Sequence, residues 1–349
     1  VQLLRPLPAL IAVACLWPLT GCASSGTSSG PPRPAPPGGE ASQVVDGRTG
    51  EPVSRAAVVA RLKEVDVVYV GERHDRAADH ALQEWVVAVL VDDMPHPEEL
   101  AVGLEMVQRP FQPALDRWLA GETDQATMLE EVQWASRWGF DFGFYEPIFE
   151  RVRAAGGQLI ALNAPAEVTR AVGMGGLDAL APEDREALPE LDLDDPDHRR
   201  MIEEALTGHG AAPEERGAAA DEAEDADGAE DGATAGTGGG DDAAPEADNP
   251  HAQMDPAMLD RFYTAQVIWD ETMAATVAET LTREGPGAAR RMVVLAGRFH
   301  VQQGLGIPKR AARRGVGSQL IVLPVAPEEL PSAVDGEAPL ADLLWATGP

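Results

Sequence analysis

Apolar residues fall in two rhythms along this chain. Short, nearly unbroken runs, VDVVYV at 65–70, LAVGLE at 100–105, QLIALN at 158–163, RMVVLAG at 291–297 and SQLIVLPV at 318–325, read as buried strands, the last of these closing the set. Between them apolar positions recur every three or four residues, as on one face of a helix. Such stretches are DHALQEWVVAVLVD at 79–92, FQPALDRWLAG at 111–121, DQATMLEEVQWASRWG at 124–139 with Gly139 as its stop, and YEPIFERVRAAGG at 145–157. A longer helix is expected over 255–284, with Pro256 suited to its first turn. Strands alternating with helices predict an α/β fold: a mostly parallel sheet flanked by helices on both faces, with additional helices.

Two stretches break both rhythms. The first residues hold one arginine and a short apolar run interrupted by Pro6, Pro8 and Pro18, and end in Leu19-Thr20-Gly21-Cys22, a bacterial lipobox. Residues 1–21 are therefore expected to be a signal peptide and Cys22 a lipidated residue. Residues 22–40, rich in Ser, Gly and Pro, are read as a flexible tether, and 41–349 as a single α/β domain. That places the protein in the bacterial cell envelope, held to the lipid bilayer through Cys22. Ala23 stands where an inner-membrane retention aspartate would be, which favours the outer membrane. The second stretch, about 211–249, is acidic and nearly free of apolar residues, and it carries much of the net charge of -31. It is expected to be a disordered insertion. With no basic stripe to neutralise phosphates, nucleic acid is excluded as a partner. The two cysteines are Cys15 and Cys22, so a processed chain has neither a disulfide nor a thiolate metal site.

In a parallel sheet, ligands bind beyond the carboxyl ends of the strands. Polar groups collect at that edge here: Glu72 and His74 after the first strand, Glu105 at the end of the second, Asn163 at the end of the third, and His300 after the fourth. Gly71-Glu72-Arg73-His74 and Gly297-Arg298-Phe299-His300 share the form G-x-x-H. Two imidazoles with a carboxylate suit a divalent metal with a position open to water, the set being His74, His300 and Glu105. Equally, Glu72 and Glu105 could orient the histidines for acid–base catalysis without metal. His80 is assigned a supporting role. Arg73 and Arg109 either bind an anionic ligand or pair with Glu72 or Glu105, and Asp270 and Glu271 either reach the site or face solvent.

Taken together, VGERHDRAADHALQ, GLEM, WGFDFGFYEPIFERVRAAGGQLIALNAP, YTAQVIWDETMA and VVLAGRFHVQQGLGIPKR resemble the ChaN-like haem-binding lipoprotein family, related to the Tiki, TraB and erythromycin esterase group. The resemblance runs from about 65 to 325 and leaves the acidic stretch as an insertion. It implies an α/β fold, a lipid anchor, and a role in haem or iron acquisition or storage alongside iron-uptake components. It also implies haem held by tyrosine and histidine at a subunit interface, hence a homodimer on haem binding. The G-x-x-H junctions and Glu105 carry over motif by motif. No short motif marks the haem ligands, for which Tyr145, His198 and His209 are candidates by position. The related esterase branches imply a second function, a metal-dependent or acid–base hydrolase using Glu72, His74, Glu105 and His300.

Overall fold

The computed structural model describes residues 31–39, 42–207, 255–285, 287–334, 336 and 338–348. The expected signal peptide, Cys22, His209 and the acidic segment 211–249 lie outside the described residues. Seven strands form one sheet: β1 (Val44–Asp46), β2 (Val67–Glu72), β3 (Leu100–Gln108), β4 (Gln158–Asn163), β5 (Arg291–Gly297), β6 (Gln319–Val325) and β7 (Leu343–Ala346). Their order is β1-β7-β6-β2-β5-β3-β4, and only β1 runs antiparallel.

The helices follow from the right-handed crossover that parallel strands require. From β2 the chain moves outward to β3 and β4, and its helices cover one face. These are α1 (Arg55–Glu64), α2 (Ala77–Asp93), α3 (Gln112–Leu119), α4 (Gln125–Glu131), α5 (Trp134–Arg137) and α6 (Glu146–Ala155). From β4 it returns to β5 and then passes over β2 to β6, and the other face is covered by α7 (Ala166–Gly175), α8 (Pro182–Ala187), α9 (Pro196–Thr207), α10 (Pro256–Thr282) and α11 (Ile307–Arg313); α12 (Leu330–Val334) precedes β7. Alternate residues of each strand then serve opposite cores. Val68, Val70, Val102 and Leu104 pack with Leu82, Trp118 and Phe149 on the first face, while Val67, Tyr69, Ala101 and Val294 pack with Met273 and Val277 of α10 on the second.

Four local readings differ from the pattern. β1 and β7 were not expected, because VVD and LLWA are too short to show a period. The helix expected over 124–139 is broken into α4 and α5 by Gln133, whose left-handed φ of 57° interrupts the turn. Residues 31–39 of the expected tether lie against the body. There the Arg151 guanidinium donates to the carbonyls of Pro31 and Pro32 at 2.8 and 2.9 Å, and Arg33 pairs with Asp92 at 2.8 Å. Finally, β2 runs on through Glu72, so that side chain leaves the sheet itself and not a loop.

The outer edge of β4 is closed by one side chain. Gln112 donates to the Leu159 carbonyl at 2.8 Å and accepts from the Ala161 amide at 2.7 Å, as a neighbouring strand would. Gln112→Ala is expected to cost about 1–3 kcal/mol for two lost bonds to the backbone. A midpoint shift in urea unfolding measures it, and an unchanged midpoint would show that solvent satisfies this edge equally well.

Candidate acid–base pocket

β5 sits between β2 and β3, and the connections leaving β2 and β5 cross opposite faces of the sheet. A crevice opens where they diverge. There lies a cavity of about 250 Å³ lined by His74, Glu105 and His300, with Trp138, Phe140 and Trp269 among its walls and Gln108, Asn163, Arg137 and Arg170 among its polar groups. The two junctions touch through the first glycine. A Cβ on Gly71 would collide with the Leu323 side chain of β6 and meet the Val301 side chain at 3.1 Å and the Arg298 Cα at 3.3 Å, so the first G-x-x-H needs glycine where β6 and the second junction both pack on it. Between Leu104 and Gln108 the register of β3 with β4 slips, a bulge beside Glu105.

Glu72 stands behind the cavity, buried. Its Oε1 accepts from His74 Nδ1 at 2.8 Å and from the Tyr145 hydroxyl at 2.5 Å, and its Oε2 from the Gln83 amide at 2.5 Å. Burial alone would raise its pKa. Attraction to His80 and His74, with the bonds from His74 and Tyr145, outweighs burial and lowers it to about 2. Glu72 is thus an acceptor only, which places the Nδ1 proton on His74. Trp138 and Phe140 pack on that ring at 4.6 and 5.0 Å between centroids. His80 supports from below: Nε2 faces the His74 carbonyl at 3.0 Å and Nδ1 the Gln83 amide oxygen at 3.1 Å.

The second assembly is built on His300. Its Nε2 lies 3.2 Å from Glu105 Oε1 and its Nδ1 2.7 Å from Asp270 Oδ1. The other Glu105 oxygen accepts from the Gly297 amide at 2.5 Å. Burial by itself would discharge the imidazole, but the charges of Glu105 and Asp270 and their bonds to the ring raise its pKa well above the ordinary value. Both carboxylates are held below theirs, Glu105 against burial by the charge and bond of His300, Asp270 against burial by the charge of His300 and the bond from His198. The site therefore contains one imidazole oriented by a buried carboxylate and a second kept as an imidazolium between two.

This arrangement changes several sequence expectations. His74, His300 and Glu105, the set considered for a metal, meet at one cavity, where His300 pairs with Glu105 and His74 with Glu72. Among the described residues no group of three or more His, Cys, Asp or Glu is arranged to hold a metal ion. Both nitrogens of His300 face carboxylates, so a metal taken by this ring would have to displace one of its protons. The haem-ligand candidates are likewise engaged. Tyr145 is wholly buried on Glu72, and His198 is wholly buried between Asp270 at 3.0 Å and Arg310 at 3.1 Å. The chain has three tyrosines, and the other two are also inside, Tyr69 donating to Gln319 at 2.6 Å and Tyr263 to the Asp195 carbonyl at 3.3 Å. Burial pushes all three phenols up, Tyr263 to about 12, which disfavours the tyrosinate that binds iron. A tyrosine-held haem thus does not fit these residues.

Arg73 pairs with Asp79 at 3.1 Å and Glu329 at 3.4 Å, not with Glu72 or Glu105, and Arg109 lies off the cavity beside Glu279 at 3.6 Å. Asn163 does line the cavity. The residues that sequence reasoning passed over include Gln108, Arg137, Trp138, Phe140, Arg170 and Trp269 on the walls. Asp270 was left open between the site and solvent and is in contact with His300. Asp270 carried a usable signal, since a charged residue within the apolar run AQVIWDETMAATVA has to find a partner inside.

A family model described as haem-binding uptake, Tiki superfamily, ChaN matches residues 58–311. Among solved structures, ChaN of Campylobacter jejuni, described with cofacial haem binding, is similar at a TM-score of 0.59 and 15% identity, over 87% of this chain and 96% of that one; the likeness shows a shared fold. An erythromycin esterase, EreC, captured as a mutant in its open conformation, is similar at a TM-score of 0.40 and 13% identity, over 80% of this chain and 76% of that one. A curated relative, the chloroplastic protein RETICULATA-RELATED 5 of Arabidopsis thaliana, is 35% identical over 103 residues, which is 28% of this chain and 14% of that protein's length. With the family model running from α1 to α11 through β2, β3, β4, β5 and both G-x-x-H junctions, the chain belongs to the haem-binding uptake family of the Tiki superfamily that includes ChaN.

Proposed function

We propose that this member of the family uses the pocket as an acid–base site for hydrolysis. The observation that carries the reading is the pairing in one cavity of His74, oriented through Nδ1 by Glu72, with His300, held as a cation by Glu105 and Asp270. In the reaction, water gives a proton to His74 Nε2 as its oxygen bonds to an acyl carbon. The bond from that carbon to the leaving group breaks, and the leaving group takes the proton from His300 Nε2. Transfer of the proton from His74 to His300 through solvent restores both rings, so the sum is ester or amide plus water to acid plus alcohol or amine. Wild type is expected to turn over at least one member of an ester, lactone and amide panel. His74→Ala and His300→Ala should each lose about 10²–10⁴-fold while keeping the wild-type far-UV spectrum. No turnover by wild type, or equal turnover by both variants, sinks the reading.

A second reading, a haem carrier or store working with iron-uptake components and pairing into a homodimer on haem, is favoured by the family description and by the fold shared with ChaN. In either case the chain is proposed to be anchored in the bacterial envelope, in the outer membrane, through a lipid on Cys22. Haemin titration separates the two functions. A Soret shift that survives His74→Ala and His300→Ala puts haem elsewhere on the chain, and one lost in His74→Ala with the fold intact puts haem in this pocket.

A further inference from the structure

We infer that Asp270 and His198 are positioning residues that fix which proton of His300 faces the pocket. Both are buried completely, on α10 and α9, and neither lines the cavity. One Asp270 oxygen is 2.7 Å from His300 Nδ1 and the other 3.0 Å from His198 Nε2. His198 Nδ1 in turn faces the Arg310 guanidinium at 3.1 Å and can only accept from it, so the His198 proton sits on Nε2, the nitrogen within ion-pair distance of Asp270. Arg310 is itself buried, donating to the Leu305 carbonyl at 2.7 Å and lying 3.3 Å from Glu271. The Asp270 carboxylate therefore has an imidazole beside each oxygen, hydrogen-bonded at His300 and at ion-pair distance at His198. Since Asp270 claims the Nδ1 proton of His300, the Nε2 proton is the one turned to Glu105 and the cavity.

Packing alone does not account for this chain of charges. A buried carboxylate costs several kcal/mol of lost hydration, and an apolar side chain would fill the same space without that cost. The groups facing His300 are Glu105 from β3, Asp270 and the Gln266 amide, 3.2 Å away, from α10, and the Trp269 ring, with His74 of the turn after β2 across the cavity. Only Asp270 among them bonds Nδ1 as an anion. Its consequence for turnover rests on the acid–base reading, but the bond can be observed without a substrate.

The experiment is NMR of ¹⁵N-histidine-labelled full chain, comparing wild type with Asp270→Asn, His198→Leu and His198→Gln. Wild-type His300 is expected to keep protons on both nitrogens above the pH at which an ordinary imidazole loses one, its Nδ1 proton exchanging slowly. In Asp270→Asn its titration midpoint should fall by at least about one pH unit, a tenfold loss of proton affinity. In His198→Leu the Nδ1 proton should exchange at least about tenfold faster, and His198→Gln, whose amide can still donate to Asp270, should restore slow exchange. A midpoint unmoved by Asp270→Asn, or leucine and glutamine variants alike in exchange, overturns the inference. Should Asp270→Asn fail to fold, a wild-type His300 that is neutral at about pH 7 with its lone pair on Nδ1 overturns it as well. A blank hydrolase screen leaves these resonances as they are, so the two readings fail separately.

Discussion

Replacing Glu72 with alanine is expected to remove about 3–5 kcal/mol of stability, a large share of the margin of an ordinary domain. The loss does not come from the carboxylate's own burial, which is unfavourable. It comes from what is left behind: the Tyr145 hydroxyl, the Gln83 amide and His74 Nδ1 would all lose the acceptor they share. Glu72→Gln should cost less, since the amide oxygen still accepts on one side. The pH dependence distinguishes the charge from the shape. With its folded pKa lowered to about 2, Glu72 contributes stability that is fully present above the ordinary glutamate pKa and is lost as pH falls towards 2. The contribution at neutral pH is about 3 kcal/mol. Urea unfolding of wild type should therefore show a limb falling between about pH 4.5 and 2, shallower in Glu72→Gln. Identical limbs in the two proteins would show that Glu72 takes up its proton without strain.

What the chain revealed in advance depended on how many residues shared one environment. β2, β3, β4, β5 and β6 are buried on both faces, so each writes an apolar run longer than its neighbours' helical period. β1 and β7 have three and four residues, too few for any run. At the site, the residues that end or follow strands were legible because topology alone puts them on one edge. Glu72, His74, Glu105, Asn163 and His300 are of this kind. Contacts made from helices were not, because the face of α10 that meets His300 depends on how far the helix is rotated against the sheet. The same is true of Arg73, whose partners Asp79 and Glu329 come from α2 and from the segment before α12. A residue's partner choice among nearby acids is settled by packing, which spacing does not encode.

The break at Gln133 shows the same limit from the other side. A left-handed residue that is not glycine is uncommon and stores strain, and here it starts the short helix that brings Arg137 and Trp138 to the cavity. Its own side chain accepts from Arg137 Nε at 2.8 Å, and Arg137 reaches across to Gln108 at 2.8 Å and Glu167 at 2.6 Å. The wall over His74 is thus fastened to β3 and α7 by one guanidinium. Nothing in the helical period of 124–139 separates this geometry from a continuous helix.

Gly306→Ala is expected to damage the site more than its size suggests. An alanine Cβ there would come within 2.7 Å of the His300 carbonyl carbon and press still closer on its oxygen. The obstacle is backbone, not the end of a flexible side chain, and His300 cannot retreat because Asp270 and Glu105 grip both ring nitrogens. Either α11 shifts away from β5 or the ring leaves its carboxylates. Overpacking of this kind costs about 1–3 kcal/mol, occasionally more. A misplacement of about 1 Å at a catalytic group costs on the order of 10²-fold in rate. Gly348→Ala, where an added Cβ meets nothing within 4 Å, is the control and should stay within about 0.5 kcal/mol of wild type. The two variants are compared by unfolding midpoint and by the His300 ring resonances. Gly306→Ala should lose the slowly exchanging Nδ1 proton even at temperatures where the fold survives, because the bond to Asp270 depends on where this backbone holds the ring. If the Gly306→Ala protein keeps both its midpoint and that proton, the loop yields without moving His300, and the close approach of residue 306 to residue 300 is not what sets the geometry of the pocket.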